Sequence, residues 1–357
     1  MTELGRLNLD RRGFVSLMGA AGIGVAAAGA LAACGGGGDS TQKKTLRKYT
    51  TVLDVAPYGK HAPWYVALEK GYWKKRGLNI AIQSAQGSAD AVTKLAAGAG
   101  DFGFADTSAL ILATGNKNMK AKVVCMYHYK NLMSVESLVK TDIKGPADLP
   151  GTTQYVIPGE GSFLLLPALG KKNNFDASKV KTVTGTFPGT VPAVAGGKAD
   201  GVLTYATVFP ALEAAAKKNG EEAQMFLYAD YGIDVYNNGI IVMDKFIAEH
   251  PDDVKAYCDG FAEAVLFCVK NPAEASKIFV SKVPGLDVGI AQAQLQVAID
   301  HLMVPEVEQH GFGPMDDAKM GTTLNLVNEY FDLKTPVTQT SDIYSNQYVT
   351  KGQVPQK

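Results

Sequence analysis

Residues 98–104 read Gly-Ala-Gly-Asp-Phe-Gly-Phe, and residues 197–203 read Gly-Lys-Ala-Asp-Gly-Val-Leu. In each stretch, a Gly-x-x-Asp pattern follows an alanine- and valine-rich helical segment and precedes a short apolar run. A polar residue or two and another helical pattern then follow in both cases. Because the order of elements also matches on both sides, the two stretches predict two lobes built on one plan.

Strands and helices alternate outward from both stretches. Apolar periodicity predicts a first unit of strand 48–55, helix 61–76, strand 78–83, helix 88–97, strand 102–105, helix 108–114 and strand 122–129. The second unit is predicted as strand 152–157, helix 162–172, strand 180–183, helix 190–195, strand 201–204 and helix 209–218. A strand at 239–243 leads into long helical patterns at 252–269, 273–281, 288–302 and 316–330. The alternation predicts an α/β fold with mixed sheets flanked by helices.

Two α/β lobes predict a ligand cleft between them, because ligands bind beyond the carboxyl ends of strands in open α/β sheets. The loops at those ends are rich in Gly, Pro, Tyr, Ser and Thr. Such loops supply backbone N–H groups, small hydroxyls and aromatic faces. We therefore expect the ligand-binding residues to be Tyr58, His61, Trp64, Asp106, Thr107, Ser108, Gly159, Gly161, Ser162, Phe187, Tyr205, Tyr236 and Asn238.

Structural roles compete with ligand binding at several of these positions. The aromatic residues near 58–65 form either a wall for a flat ligand or a helix face packed on the sheet, and Trp64 and Tyr65 cannot both point into the cleft. The segments 106–108 and 159–162 both precede helices, so their residues could simply cap them. Capping and ligand contact are compatible, because free N–H groups at a helix start also attract anions. For Tyr127, His128 and Tyr129, core packing is the favoured interpretation.

The N-terminal segment predicts export and lipid anchoring. Arg11-Arg12 precede an apolar run that ends at Leu31-Ala32-Ala33-Cys34 and four glycines. This pattern is typical of an export signal over residues 1–33, of the twin-arginine type. The last four residues resemble the bacterial lipoprotein box, which implies a lipidated, palmitate-bearing Cys34, a flexible tether over 34–44 and a location in the periplasm or on the outer face of the cell membrane. A single transmembrane anchor is the alternative, since the run is about long enough to span a bilayer.

Composition excludes several classes of protein. The 357 residues leave room for two ordinary domains once the signal is removed. Lys plus Arg and Asp plus Glu both number 35, so no basic excess supports nucleic-acid binding. Cys258 and Cys268 lie about 15 Å apart along one predicted helix, too far for a disulfide. The histidines lack metal-ligand spacing, and no nucleophile motif is present, so we expect no metal, no cofactor and no enzymatic activity.

Residues 53–73 carry a resemblance to a known family. They read Leu-Asp-Val-Ala-Pro-Tyr-Gly-Lys-His-Ala-Pro-Trp-Tyr-Val-Ala-Leu-Glu-Lys-Gly-Tyr-Trp. This stretch resembles the opening of the substrate-binding proteins of ABC importers in the nitrate/sulfonate/taurine and thiamine-precursor group. Segments 77–80, 98–102, 236–242 and 343–348 are also similar to that group.

The resemblance implies a two-lobed periplasmic-binding-protein fold of type II that closes around a solute and delivers it to an ABC permease. Lobe 1 would comprise residues 45–138 and 238–357, and lobe 2 residues 139–237, with a hinge near 134–139 and 236–240. We expect a monomer that binds a small aromatic or heteroaromatic solute. Lys60 and the N–H groups at the helix starts are also compatible with an anionic group on that solute.

Three other functions compete with this interpretation. One is a receptor for sulfonate or nitrate, since those branches use small hydroxyl and amide donors and often a basic residue. Another is a pyrimidine-synthesising enzyme of the same fold superfamily, disfavoured because such enzymes are cytosolic and carry a cysteine-rich cluster that this chain lacks. The last is a structural lipoprotein with an empty cleft, which the aromatic and hydroxyl residues of the cleft loops disfavour.

Overall fold

The computed structural model describes residues 45–356 of the chain. The predicted signal segment, Cys34 and the tether up to residue 44 lie outside the described residues. Among the residues that are described, no helix is both long and apolar enough to cross a bilayer.

Two five-stranded sheets organise the described chain. Their strands are β1 (Arg47–Leu53), β2 (Leu78–Ser84), β3 (Phe102–Asp106), β4 (Ala121–Met126), β5 (Met133–Leu138), β6 (Thr153–Val156), β7 (Lys181–Thr184), β8 (Gly201–Tyr205), β9 (Ala223–Leu227) and β10 (Asn238–Met243). The first sheet has the order β2-β1-β3-β10-β4 and the second the order β7-β6-β8-β5-β9.

The two sheets share one topology. In each sheet the first three strands are parallel, and the fourth runs antiparallel between its neighbours. The fourth position is filled by β10 in the first sheet and by β5 in the second. These are the strands that the chain enters just after crossing from one sheet to the other. The prediction of two mixed α/β lobes on one plan is confirmed.

The repeated Gly-x-x-Asp pattern performs the same task in both lobes. The Asp101 carboxylate accepts a hydrogen bond from the Thr50 N–H at 2.7 Å, and Asp200 accepts one from the Thr153 N–H at 2.7 Å. The N–H of each aspartate donates back to the carbonyl of the same threonine. Each aspartate therefore fastens the start of its strand, β3 or β8, to the neighbouring parallel strand, β1 or β6.

Thirteen helices accompany the sheets in the described chain. They are α1 (Ala62–Glu69), α2 (Ser88–Ala96), α3 (Thr107–Lys117), α4 (Gly161–Leu164), α5 (Leu166–Lys172), α6 (Thr190–Ala195), α7 (Phe209–Lys218), α8 (Asp244–Glu249), α9 (Pro251–Lys270), α10 (Pro272–Lys282), α11 (Val288–Leu302), α12 (Pro305–His310) and α13 (Asp317–Tyr330). The predicted helix 61–76 is shorter than expected, because the chain turns at Gly71, whose φ of 69° favours glycine. The predicted helix 162–172 is divided at Leu165, and Pro167 stands in the first turn of its second half.

The two crossings between the sheets lie at residues 127–132 and 228–237. The first crossing differs from the predicted hinge at 134–139, because Met133–Leu138 pairs along its length with β8 and β9 inside the second sheet. The whole strand is buried, so its alternation of apolar and polar residues does not mark an exposed hinge. We therefore propose that lobe 2 begins near residue 133 rather than 139.

Candidate ligand site between the lobes

The floor of the candidate site is a buried polar network centred on Asp54, which follows β1 directly. The Asp54 carboxylate accepts hydrogen bonds from Lys60 Nζ at 2.7 Å, from His61 Nε2 at 2.9 Å and from Asn238 Nδ2 at 2.9 Å. All four side chains are buried. The short turn at Gly59–His61 and the start of β10 thus bring three donors onto one carboxylate.

The charges of this network cancel. Burial alone would raise the pKa of Asp54, but the Lys60 ammonium and the hydrogen bond from His61 outweigh it and hold that pKa well below its usual range. His61 Nδ1 accepts a hydrogen bond from the Tyr58 N–H at 3.2 Å, so Nε2 carries the ring proton that is donated to Asp54. Burial lowers the pKa of His61, which keeps the ring neutral. Asp54 and Lys60 therefore form a neutral ion pair.

Aromatic rings surround the Lys60 ammonium. Its Nζ lies 4.6 Å from the ring centroid of Tyr205, 5.2 Å from that of Tyr58 and 5.3 Å from that of Phe104. These distances allow cation–π attraction. Because Tyr205 ends β8 in the second sheet, the cation contacts both lobes.

Two buried carboxyl groups belong to the second lobe. Glu160 lies in the loop after β6, with Ser162 Oγ and Thr204 Oγ1 both at 3.5 Å, and burial raises its pKa to about 8 although Lys60 acts in the opposite direction. Glu136 lies on β5, and burial raises its pKa well above the usual range. Glu160 is therefore mainly protonated at neutral pH and can donate a hydrogen bond as well as accept one.

The predicted capping role of Asp106 is present in the structure. Its carboxylate accepts from the Ser108 N–H at 2.8 Å and from Asn237 Nδ2 at 2.6 Å, and burial raises its pKa to about 6. Thr107 Oγ1 donates to the Asn237 carbonyl at 2.7 Å. Asp106 and Thr107 thus connect the start of α3 to the second crossing segment.

Several buried polar atoms at this junction have no hydrogen-bond partner within the described residues. They are both ring nitrogens of His128 and Asn238 Oδ1. Buried polar atoms are hydrogen-bonded in the large majority of cases, and each one left unpaired costs about 1–3 kcal/mol. This concentration of unpaired donors and acceptors between the lobes indicates a site that a polar ligand completes.

The lobes are closed over the site. Tyr58 donates or accepts a hydrogen bond with Thr207 Oγ1 at 2.8 Å, and its ring stacks on Phe187 with centroids 4.6 Å apart and planes 25° apart. At the α2 end of the cleft, the Ala89 N–H donates to the Gly159 carbonyl at 2.9 Å. Contacts between lobe 1 and lobe 2 therefore exist on both sides of the polar network.

Comparison with known proteins places this geometry in a family. Residues 59–275 match the family described as NMT1/THI5 like. The chain belongs to the NMT1/THI5-like family. It is 23% identical over 302 residues to the formylaminopyrimidine-binding protein of Halalkalibacterium halodurans, covering 84% of this chain and 90% of that protein. It is 25% identical over 316 residues to the riboflavin-binding protein RibY of Chloroflexus aurantiacus, covering 86% and 88%.

The fold comparison agrees with the family match. The alkanesulfonate-binding protein SsuA from Xanthomonas axonopodis pv. citri superposes with a TM-score of 0.66 at 13% identity, covering 84% of this chain and 98% of that protein. The chain therefore has the two-lobed periplasmic-binding-protein fold that the resemblance implied. Like the relatives named above it is a binding protein, and the enzyme interpretation is not supported.

The structure gathers most of the predicted site residues of this NMT1/THI5-like protein at the closed cleft. These are Tyr58, His61, Asp106, Thr107, Ser108, Gly159, Gly161, Ser162, Phe187, Tyr205 and Asn238. Gly161 is required by close packing, because a Cβ there would lie 2.5 Å from the Tyr205 hydroxyl and 3.1 Å from Asp106 Cγ.

Two predicted residues lie elsewhere. Trp64 is buried in the core of lobe 1, where its ring packs on Phe261 at 4.4 Å and its Nε1 donates to the Tyr257 hydroxyl at 3.0 Å. Tyr236 points toward the C-terminal helices, donates to Glu306 and accepts from the Asp316 N–H at 2.7 Å. Both side chains already have their partners, so we remove them from the proposed site.

Asp54, Glu136 and Glu160 are not among the site residues predicted from the sequence, whereas Lys60 is named there as a partner for an anionic group and His128 is assigned to core packing. Glu160 carried a usable signal, since it lies in the loop directly after the predicted strand 152–157, whereas Asp54 falls within the predicted strand 48–55. Glu136 was hidden because its strand was interpreted as a hinge. Nothing in the sequence indicates that the nitrogens of His128 lack partners, because that depends on residues far apart in the chain.

Proposed function

We propose that this protein is the solute receptor of an ABC importer and that it captures a flat heteroaromatic solute by closing its two lobes. The observation that carries the proposal is the set of unpartnered polar atoms buried between the lobes, beside the Tyr58–Phe187 stack. A solute that bonds to atoms of both lobes binds the closed form more tightly than the open form, so it shifts the balance toward closure. The permease would then recognise the closed form.

The charges favour a neutral solute rich in hydrogen-bond donors over an anion. Among the described residues of the site, Lys60 carries the positive charge, and this charge is already paired with Asp54. Asp106, Glu136 and Glu160 add three carboxyl groups and no positive charge. The relatives that bind a formylaminopyrimidine and riboflavin support a ring solute, whereas the sulfonate-binding neighbour supports the alternative.

A panel of four compounds tests this proposal by thermal shift: a formylaminopyrimidine, riboflavin, an alkanesulfonate and nitrate. We expect a heteroaromatic compound to raise the melting temperature, by an amount set by its concentration relative to its Kd. Tyr58→Ala removes the stack and the hydrogen bond to Thr207, so affinity should fall by about 10- to 100-fold. Tyr72→Ala, a half-buried tyrosine of lobe 1 away from the cleft, is the control and should bind like the parent. Stabilisation by sulfonate or nitrate alone would favour the anion receptor instead.

We also propose that residues 1–33 are a removed export signal, that Cys34 is lipidated and that residues 34–44 tether a monomeric receptor to the outer face of the membrane. The sequence pattern at Leu31-Ala32-Ala33-Cys34 supports this proposal. Cys34→Ala should abolish both incorporation of labelled palmitate and removal of residues 1–33, because the proposed signal is cut at this cysteine. Cys268→Ala, which alters a buried thiol, should change neither result. A parent protein that incorporates no palmitate and retains residues 1–33 would indicate the transmembrane anchor.

A further inference from the structure

His128 lies where the two crossing segments of the hinge join. Its N–H donates to the Asn238 carbonyl at 3.0 Å, and its own carbonyl accepts from the Asn237 N–H at 3.1 Å. His128 belongs to the first crossing, whereas Asn237 and Asn238 end the second crossing and begin β10. Any movement of one lobe relative to the other must therefore pass through the backbone around His128.

The ring of His128 is buried and forms no hydrogen bond within residues 45–356. The residue is 2% exposed, and neither ring nitrogen has a partner in that part of the chain. The ring packs on Tyr127, with centroids 4.7 Å apart, and on the edge of Phe104, with centroids 5.6 Å apart. Burial, together with the nearby Lys60 ammonium, holds the pKa of His128 well below its ordinary value, so one nitrogen is a donor and the other an acceptor.

A packing role alone does not account for a histidine at this position. Phenylalanine would make the same ring contacts with Tyr127 and Phe104 without burying two unpaired polar atoms. Asn238, whose backbone is bonded to His128, also presents an unpartnered atom, Oδ1, while its amide group is held by Asp54. Three unpaired polar atoms are thus fixed at the joint between the crossings, beside the polar floor of the cleft.

We propose that His128 is a ligand-binding residue that contacts the solute from the hinge. Its ring donates one hydrogen bond to the solute or accepts one, and the adjacent Asn238 Oδ1 accepts another. Because His128 is part of the crossing segment, this contact links occupancy of the cleft to the angle between the lobes. The inference rests on the proposed function and adds a specificity-determining residue to it.

Two substitutions at His128 separate recognition from packing. His128→Phe keeps the ring and removes both nitrogens, whereas His128→Asn keeps a donor and an acceptor. We expect His128→Phe to weaken binding of riboflavin or the formylaminopyrimidine, whichever stabilises the parent, by about tenfold or more. His128→Asn should recover a measurable part of that loss. His310→Phe is the control, because the His310 side chain is exposed at the end of α12.

Melting temperature without solute supplies a second, independent measurement. If the nitrogens of His128 have no partners in the free protein, His128→Phe should leave the melting temperature unchanged or raise it. A fall of several degrees would overturn the inference, as would unchanged affinity in His128→Phe. If the parent protein binds neither riboflavin nor the formylaminopyrimidine, the proposed solute class fails, and the melting-temperature comparison still decides whether the His128 ring is a packed core group.

Discussion

Lys60→Met is expected to lower the free energy of unfolding by about 3–5 kcal/mol and to abolish solute binding, because it leaves the buried Asp54 carboxylate without its counter-charge. Lys60 Nζ lies 2.7 Å from Asp54 Oδ2, and both side chains are at most 1% exposed. Two donors, His61 and Asn238, would remain on Asp54, but neither carries a charge that could replace the ammonium. Thermal or urea unfolding at pH 7 measures the change, which corresponds to a melting temperature lower by roughly 5–10 °C in a domain of this size.

The pH dependence gives this prediction a distinct signature. In the parent, the pKa of Asp54 in the folded protein is depressed, so its contribution to stability is present above the unfolded pKa of 3.8 and is lost as pH falls below that value. In Lys60→Met, burial without the ammonium raises the pKa of Asp54 instead. The variant should therefore become more stable relative to the parent as pH is lowered from 8 to 5, because Asp54 then takes up a proton and loses its unpaired charge. Burial can raise the pKa of a carboxyl by roughly three units, which places it in this pH range.

Two matched variants control for the loss of a lysine. The double variant Asp54→Asn/Lys60→Met removes both charges and should recover most of the lost stability, since no buried charge remains unpaired. Lys70→Met removes a surface ion pair with Glu274, whose side chains are 32% and 53% exposed, and should change stability little. Equal effects of Lys60→Met and Lys70→Met would show that the Asp54 network does not hold the structure together.

Sequence patterns predicted the bounds of helices well where a single apolar periodicity continues through the whole element. The helices at 209–218 and 288–302 have the bounds that periodicity predicts, because each shows an apolar stripe of helical period. The Gly-x-x-Asp repeat correctly indicated two lobes, because its aspartate bonds the neighbouring strand in both. By contrast, the segment 134–139 is interpreted from its alternating residues as part of the hinge, although Met133–Leu138 is a buried strand of the second sheet. The strand Ala223–Leu227 is not predicted, since it mixes buried and exposed residues without strict alternation.

The site was predictable as a set of loops but not as a set of contacts. The rule that ligands bind beyond strand ends selected loops that the structure brings together at the closed cleft, including those that carry Tyr58, Ser108 and Tyr205. It could not decide the direction of each side chain, and so it included Trp64 and Tyr236, which point into the core and toward α12. Packing between residues distant in sequence determines which buried atoms lack hydrogen-bond partners, so only the three-dimensional structure identifies those atoms.

The second large effect concerns closure of the lobes. Gly87→Ala should destabilise the closed state and so weaken solute binding by about 100-fold or more, which is a loss of about 3 kcal/mol in binding free energy. Gly87 precedes α2 in lobe 1, and a Cβ there would lie 2.9 Å from the Glu160 nitrogen and 2.9 Å from the Gly159 carbonyl carbon of lobe 2. These are backbone atoms that cannot rotate away, and the bond between Ala89 and Gly159 forms beside them. The obstruction exists only when the lobes are closed.

Gly98→Ala is the matched control for this variant. Gly87 has a φ of 109° and Gly98 a φ of 71°, so alanine strains the backbone at either position. A Cβ at Gly98, however, meets no atom of the described chain within 4 Å. Both variants should therefore melt at lower temperature than the parent, and only Gly87→Ala should lose affinity for the compound that stabilises the parent. Solution scattering should show that Gly98→Ala contracts on adding that compound and that Gly87→Ala does not. Parent-like binding by Gly87→Ala would mean that the solute is held in a more open arrangement, since the contact between Gly87 and the 159–160 backbone could then not form in the bound state.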